Sequence, residues 1–182
     1  FGVSEFATRF LSVLFGALGV GLMFLIASRN FGLAVGLMAA LFYCFSPIQF
    51  RFTHLARPYA LLMVTVILSY GTLLEAIKNP SKRKLFWYYL ATTAMIYVHP
   101  TSVFNLAAQG LIALILNFKD LKASLRIILP MAGAALTFGI WVLAIPYFER
   151  NDAMWFGAPG WNEVKYVLLV FYANAKLLTT QI

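Results

Sequence analysis

Long apolar runs separated by short polar breaks dominate the chain. The first, about Phe6 to Ser28, is long enough to cross roughly 30 Å of hydrocarbon as a helix. Ser4-Glu5 precedes it with a capping residue and an acid for the first turn, and Arg29-Asn30 ends it. The second run, Gly32 to Phe50, carries Gly32-x-x-x-Gly36 and then Ala39-Ala40, small residues at a spacing that lets helix backbones approach closely in lipid. Ser46-Pro47 marks its fraying end. Pro58 to about Ile77 is a third span, closed by the basic turn from Lys78 to Lys84. Leu85 to Val98 and Thr101 to Phe118 flank His99-Pro100 and together are too long for one crossing. Ile127 to Phe148 forms a further span, with Pro130 near its start and Pro146 near its end. Glu149 to Glu163 reads as a polar, aromatic loop, and Val164 to Ile182 as a partial membrane or interfacial helix.

The expected fold is therefore all-α, a polytopic helical bundle in the membrane with about six spans and a partial one. Composition agrees: 62% of residues are hydrophobic and only 11% charged, far from an ordinary globular domain. No internal repeat and no low-complexity linker divides the chain, so residues 1–182 read as part of one transmembrane domain. The opening at Phe1 and the close at Ile182, partway through an apolar stretch, suggest an internal fragment, which would be inactive by itself. Cys44, the single cysteine, sits inside an apolar run and reads as a buried structural thiol.

Charge orders these spans. Eight of the fourteen bases fall in three short breaks, at Arg29, from Lys78 to Lys84, and from Lys119 to Arg126. The positive-inside rule makes those breaks cytoplasmic. Two crossings between successive basic breaks support reading Leu85 to Phe118 as two short spans. The remaining breaks, Ser4-Glu5, Arg51 to Arg57, His99-Pro100 and Glu149 to Glu163, then share the outer face. The bases are dispersed at run ends rather than gathered in a patch, so the net charge of +8 does not point to nucleic acid.

One outer break concentrates the chemistry: Arg51-Phe-Thr-His-Leu-Ala-Arg-Pro-Tyr59. Arg57 precedes Pro58, and a residue before proline is pushed out of the α region while proline opens a helix well. Arg57 thus stands at a helix mouth whose free N–H groups and dipole favour an anion, a suitable cradle for a phosphate. The plainer reading is that it snorkels to the interface as an anchor. Arg51 can equally face solvent, and His54 can bind substrate or act as a polar anchor. His99 either lines the pocket or satisfies backbone groups freed at its helix break. Glu149 and Asp152 are outer acids that can touch an acceptor or simply face water, and Trp155 with Trp161 fits the interfacial aromatic belt. No cluster of His, Cys, Asp and Glu has metal-site spacing, so no cofactor is assigned, and metal dependence leaves no mark in the sequence. No glycine-rich nucleotide loop occurs, which makes a soluble nucleotide-sugar donor less attractive than a lipid-linked one.

Four short signatures carry a family resemblance. Residues 4 to 16, Ser-Glu-Phe-Ala-Thr-Arg-Phe-Leu-Ser-Val-Leu-Phe-Gly, resemble the entry to the second membrane helix of GT-C superfamily glycosyltransferases that use polyprenyl-phosphate-linked sugars. The protein-mannosyltransferase and aminoarabinose-transferase branch (glycosyltransferase family 39-like) is the most similar. Residues 27 to 32 resemble the basic turn that follows, Ser46-Pro47 with Ala56-Arg57-Pro58-Tyr59-Ala60-Leu61 resembles an outer-loop pattern, and Tyr97-Val98-His99-Pro100 resembles a later one. The resemblance implies an inverting sugar transfer from a lipid-phosphate donor on the extracytoplasmic face, in a membrane that reads as a prokaryotic plasma membrane. It also implies a carboxylate base in a loop ahead of Phe1, so the catalytic base is not named here. Where many relatives carry an acid two residues before the arginine matched by Arg57, this chain has Leu55. Arg57 and Tyr59 keep the pattern, and with His99, Arg51 and His54 they are the candidate substrate-binding residues.

Two other classes compete: a transporter or flippase for a lipid-linked or anionic substrate, and a non-catalytic membrane subunit. A transporter calls for ionisable groups near the midplane or for paired broken helices. The span interiors are almost free of charge and the polar residues collect at one face, which favours chemistry at the surface. Sugar and acceptor identity leave no mark in the sequence.

Overall fold

The computed structural model describes residues 5–55, 57–117 and 120–144. Residues 1–141 form one compact unit and residues 142–182 another. The expected outer loop 149–163 and partial helix 164–182, with Asp152, Trp155 and Trp161, lie outside the described residues.

Seven α-helices follow one another: α1 (Glu5–Phe31), α2 (Leu33–Cys44), α3 (Pro47–His54), α4 (Tyr59–Lys78), α5 (Lys82–Val98), α6 (Val103–Leu116) and α7 (Leu121–Ala144), with a 3₁₀ turn at Pro100–Ser102 before α6. No strand occurs among the described residues, and the chain is an all-α bundle of the kind that a hydrocarbon environment demands, since each helix satisfies its own backbone. Arg9–Phe31, α4 and α7 are long and apolar enough to cross a membrane, and α2 with α3 qualifies as one span bent by 55°. α5, at 17 residues, and α6, at 14, are shorter.

Each reversal of the chain has a local cause. Gly32 adopts φ 96°, ψ 162°, a region open almost only to glycine, and its N–H reaches the Ser28 carbonyl at 3.0 Å. That turn lays α2 back along α1. Gly36 then faces Ser28 so closely that a Cβ there would overlap the Ser28 side chain, while Gly19 faces the Tyr43 ring. The two glycines of the Gly-x-x-x-Gly pair thus do different work: Gly32 turns the chain and Gly36 admits the neighbouring helix.

Between α4 and α5, Asn79 and Pro80 stop one helix, and the Ser81 hydroxyl accepts the Lys84 N–H at 3.3 Å to start the next. Lys84 Nζ lies 3.0 Å from Glu75 across this turn, and Lys78 Nζ donates to the Asn30 carbonyl at 3.2 Å, tying the ends of α4 and α1 together. At the far end of α5 the Ser102 hydroxyl donates to the Met95 carbonyl at 2.9 Å, taking up an acceptor the helix end leaves free.

α5 and α6 therefore pack antiparallel. Met95, Ile96 and Leu106 form one buried cluster and Tyr88, Ala113, Leu73, Ala76 and Ile127 another. Between them lies a polar knot: Tyr88 Oη donates to Gln109 Oε1 at 2.8 Å, Gln109 Nε2 donates to Ser69 Oγ at 2.9 Å, and Ser69 Oγ stands 3.0 Å from Thr92 Oγ1. All four side chains are fully buried, so the knot joins α4, α5 and α6 by hydrogen bonds that water does not contest.

Two expectations are corrected. Ser46-Pro47 is not a fraying helix end; Pro47 opens α3, because proline suits the first helical turn, and the bend of 55° between α2 and α3 falls at the break. Arg51 and His54 accordingly sit in the last turn of a helix and not in a loop. Cys44 is exposed and not buried, since α2 faces α1 through Gly36 and Tyr43 and Cys44 lies about a quarter turn to the side of them.

The inter-helix contacts sort the breaks onto two ends of the unit. The end of α1, the α4–α5 turn and the α6–α7 turn meet at the basic end. The first turns of α1, the α3–α4 connection, the α5–α6 turn and the Thr137–Trp141 region of α7 meet at the other. The three basic breaks that the charge pattern grouped together thus lie at one end of the unit.

Candidate functional site

At the end opposite the basic turns, α1 holds the Arg51–Tyr59 stretch in place. Gln49, buried on α3, donates from Nε2 to the Gly16 carbonyl at 3.1 Å. The Thr53 methyl lies over Gly16, where any side chain would collide with it. Ser12 Oγ donates to the Leu55 carbonyl at 2.8 Å. These three contacts dock α3 and its exit on α1 although none of the residues bears charge.

α4 begins at Tyr59, with Pro58 at the N-cap and no side chain capping the helix. Its first N–H groups are therefore unclaimed by any cap, at the terminus that carries the positive end of the helix dipole. Arg57 is exposed immediately before this terminus, and among the described residues its guanidinium has neither hydrogen-bond nor ion-pair partner. Arg51 is likewise exposed and unpaired.

Three rings run from α3 to the α5–α6 turn. Phe52 stacks on Tyr59 with centroids 4.9 Å apart and planes 25° apart. Tyr59 in turn meets His99 at 5.4 Å and 40°. His99 is the N-cap of the 3₁₀ turn: its Nδ1 accepts the Thr101 N–H at 3.3 Å and lies 2.9 Å from Thr101 Oγ1. A backbone N–H can only donate, so Nδ1 is unprotonated, and neutral His99 carries its proton on Nε2.

His54 has the reverse arrangement. Its Nδ1 lies 2.7 Å from the Phe50 carbonyl, which can only accept. Nδ1 therefore carries the proton, and Nε2 of the neutral ring keeps a free lone pair. The ring leans on Phe50 at 4.3 Å and remains exposed.

Of the five residues singled out in the sequence, the structure joins Tyr59 and His99 directly and sets Arg57 two positions before Tyr59. Arg51 and His54 lie on the adjoining helix and make no ring or polar contact with His99 or Tyr59. Sequence reasoning passed over Phe52, Thr101, Ser12 and Gln49. Gln49 left a signal, being a polar side chain inside an apolar run, where such residues face protein rather than lipid. Ser12 and Phe52 left none, because neither type is unusual in a span. Among the described residues no group of three or more His, Cys, Asp or Glu could hold a metal ion.

Comparison with known proteins bears on what this end of the bundle does. No curated protein and no solved structure matches the chain. The family model described as dolichyl-phosphate-mannose-protein mannosyltransferase matches residues 1–147, which hold all the helices described above. With that match added to the apolar helical bundle, the chain belongs to the dolichyl-phosphate-mannose-protein mannosyltransferase family and is an integral-membrane glycosyltransferase of the GT-C type.

Proposed function

We propose that the protein transfers a sugar, mannose by the family's description, from a polyprenyl-phosphate-linked donor to an acceptor on the extracytoplasmic face of a prokaryotic plasma membrane. Residues 1–182 belong to one transmembrane domain in this reading. The donor phosphate binds at the start of α4, where the Arg57 guanidinium and the uncapped N–H groups offer hydrogen bonds and positive charge together. As the sugar leaves, negative charge grows on that phosphate, and donors fixed beforehand lower the barrier without reorganising. Tyr59 and His99 form the wall beside it, with His99 Nε2–H as a further donor. Arg51 and His54 border the same mouth from α3. The carboxylate that deprotonates the acceptor lies, by the family resemblance, in the loop ahead of α1.

The observation that carries this reading is the coincidence of an unpaired arginine, an uncapped helix start and a histidine whose Nδ1 is held by the Thr101 N–H, at the end away from the basic turns. A transporter fits less well, because the described interior holds a neutral hydrogen-bonded knot and no buried charge. The direct test is sugar transfer from a polyprenyl-phosphate-linked mannose by the intact protein in liposomes. Transfer by wild type, with loss in Arg57→Ala at unchanged expression and folding, supports the site. An Arg57→Ala protein as active as wild type removes Arg57 from the mechanism.

A further inference from the structure

The second feature of interest lies at the basic end, on the outside of the bundle. α5 and α7 both start there and run in the same direction, leaving an open groove of about 430 Å³ between them. The α5 wall is made by Lys82, Phe86 and Tyr89, and the α7 wall by Arg126, Leu129 and Gly133. Within each helix these positions fall on one face, three, four and seven residues apart. Both walls therefore open with a cation and continue apolar for about 10 Å along the helix.

Phe86 and Leu129 are exposed at 56% and 74%, so the groove faces the hydrocarbon that surrounds a membrane bundle. A Cβ at Gly133 would come into ordinary contact with the Tyr89 ring at 3.4 Å, so a larger side chain there would extend into the groove. The two cations are not spoken for. Lys82 and Arg126 are exposed and without hydrogen-bond or ion-pair partners among the described residues. The nearby acids are engaged elsewhere, Glu75 with Lys84 and Asp120 with the Ala123 N–H at the start of α7.

We propose that this groove is a binding site for an anionic phospholipid of the surrounding bilayer, its phosphate held between Lys82 and Arg126 and an acyl chain lying along Phe86, Leu129 and Gly133. Charge and polarity are arranged as in such a lipid, head at the interface and tail toward the bilayer centre. Basic positions at the face bearing the positive turns are those that attract anionic headgroups. The site is remote from Arg57 and does not rest on the donor reading.

The test is native mass spectrometry of the intact protein equilibrated in mixed micelles with equal phosphatidylglycerol and phosphatidylcholine. Wild type should retain phosphatidylglycerol in preference. Lys82→Gln with Arg126→Gln should lower that preference about thirtyfold, whereas Arg29→Gln with Arg83→Gln, removing equal charge outside the groove, should leave it. Gly133→Leu fills the groove with every charge intact and should abolish retention, which keeps the test decisive if the double variant folds poorly. Equal retention of the two lipids by wild type, equal losses in both double variants, or undiminished retention in Gly133→Leu would each overturn the proposal. Displacement of phosphatidylglycerol by an equimolar polyprenyl phosphate would also overturn it, assigning the groove to a carrier lipid instead.

Discussion

His99 holds the first N–H of the α5–α6 turn through Nδ1 and meets the Tyr59 ring at 5.4 Å with the same imidazole. One side chain thus serves as a helix cap and as part of the wall beside the start of α4. The backbone-satisfying role weighed for it from the sequence is present as this cap, and a role in donor binding can be separated from it by substitution.

Asparagine caps helices about as well as any residue, and alanine does not. His99→Asn should keep the thermal stability of wild type while lowering kcat/KM about tenfold, because it lacks the Nε2–H and the ring. His99→Ala should lose activity and also about 1 kcal/mol of stability. Thermal unfolding in detergent together with transfer kinetics checks both. Full activity in His99→Asn would leave His99 with the cap alone.

At Arg57 the geometry of the donors matters as well as the charge. Arg57→Ala should lower kcat/KM on the order of 10²-fold, the scale for removing a donor to developing negative charge. Arg57→Lys restores the charge without the planar fork and should recover only part of that loss. Steady-state transfer from a polyprenyl-phosphate-linked mannose measures this. Lysine and arginine performing alike would indicate a long-range electrostatic role instead of direct phosphate contact.

Close approach of α1 and α2 depends on Gly36. A Cβ there would overlap the Ser28 side chain and stand 2.9 Å from its Cα, a backbone atom that cannot step aside. Gly36→Ala should therefore destabilise the protein by about 1–3 kcal/mol, the usual range for overpacking. Gly21→Ala on the same α1 meets nothing within 4 Å and should cause no loss. Chemical denaturation of the two variants side by side gives the comparison.

The buried knot around Gln109 should behave as a unit. Tyr88→Phe removes the hydrogen bond to Gln109 Oε1 and should destabilise the bundle by about 0.6 kcal/mol, the average for hydrogen bonds between membrane helices, and by no more than about 1.7 kcal/mol, their maximum. In a Gln109→Leu background the same substitution should have little further effect, since the acceptor is already gone. A double-mutant cycle on unfolding free energies reads the coupling. Additive losses would show that the two side chains contribute independently.

How much of this was legible beforehand varies by element. The apolar runs located α1, α4 and α7, and the break at His99-Pro100 correctly divided the region between Leu85 and Phe118 into two helices. The run from Gly32 to Phe50 concealed the bend between α2 and α3, because an apolar window reports lipid compatibility and says nothing of axis direction. For the same reason Arg51 and His54 looked like loop residues. A helix of eight residues is too short for its periodicity to stand out from the sequence, and its docking on Gly16 shows only in the structure.

The site divides along similar lines. Arg57 and Tyr59 stood out because a cation and an aromatic beside proline interrupt an apolar chain, and helix-start chemistry gave that arginine a place. That Tyr59 would meet His99 was not readable, since it depends on how α4 and the α5–α6 turn lie together. The tautomers of His54 and His99 follow from which backbone group each Nδ1 meets, a carbonyl in one case and an N–H in the other.

Hydropathy, proline and glycine rules and the distribution of bases act locally along the chain, and from them the sequence alone established the apolar environment, most of the helices and the grouping of the basic breaks. It also carried the family likeness that the match over residues 1–147 bears out. Only the tertiary structure decided which polar groups meet: the Phe52–Tyr59–His99 row, the Gln109 knot and the two-cation groove between α5 and α7. These depend on helix direction, rotation and depth. In a bundle whose spans are apolar on nearly every face, those quantities are set by a few close approaches and buried hydrogen bonds, which hydrophobic pattern does not encode.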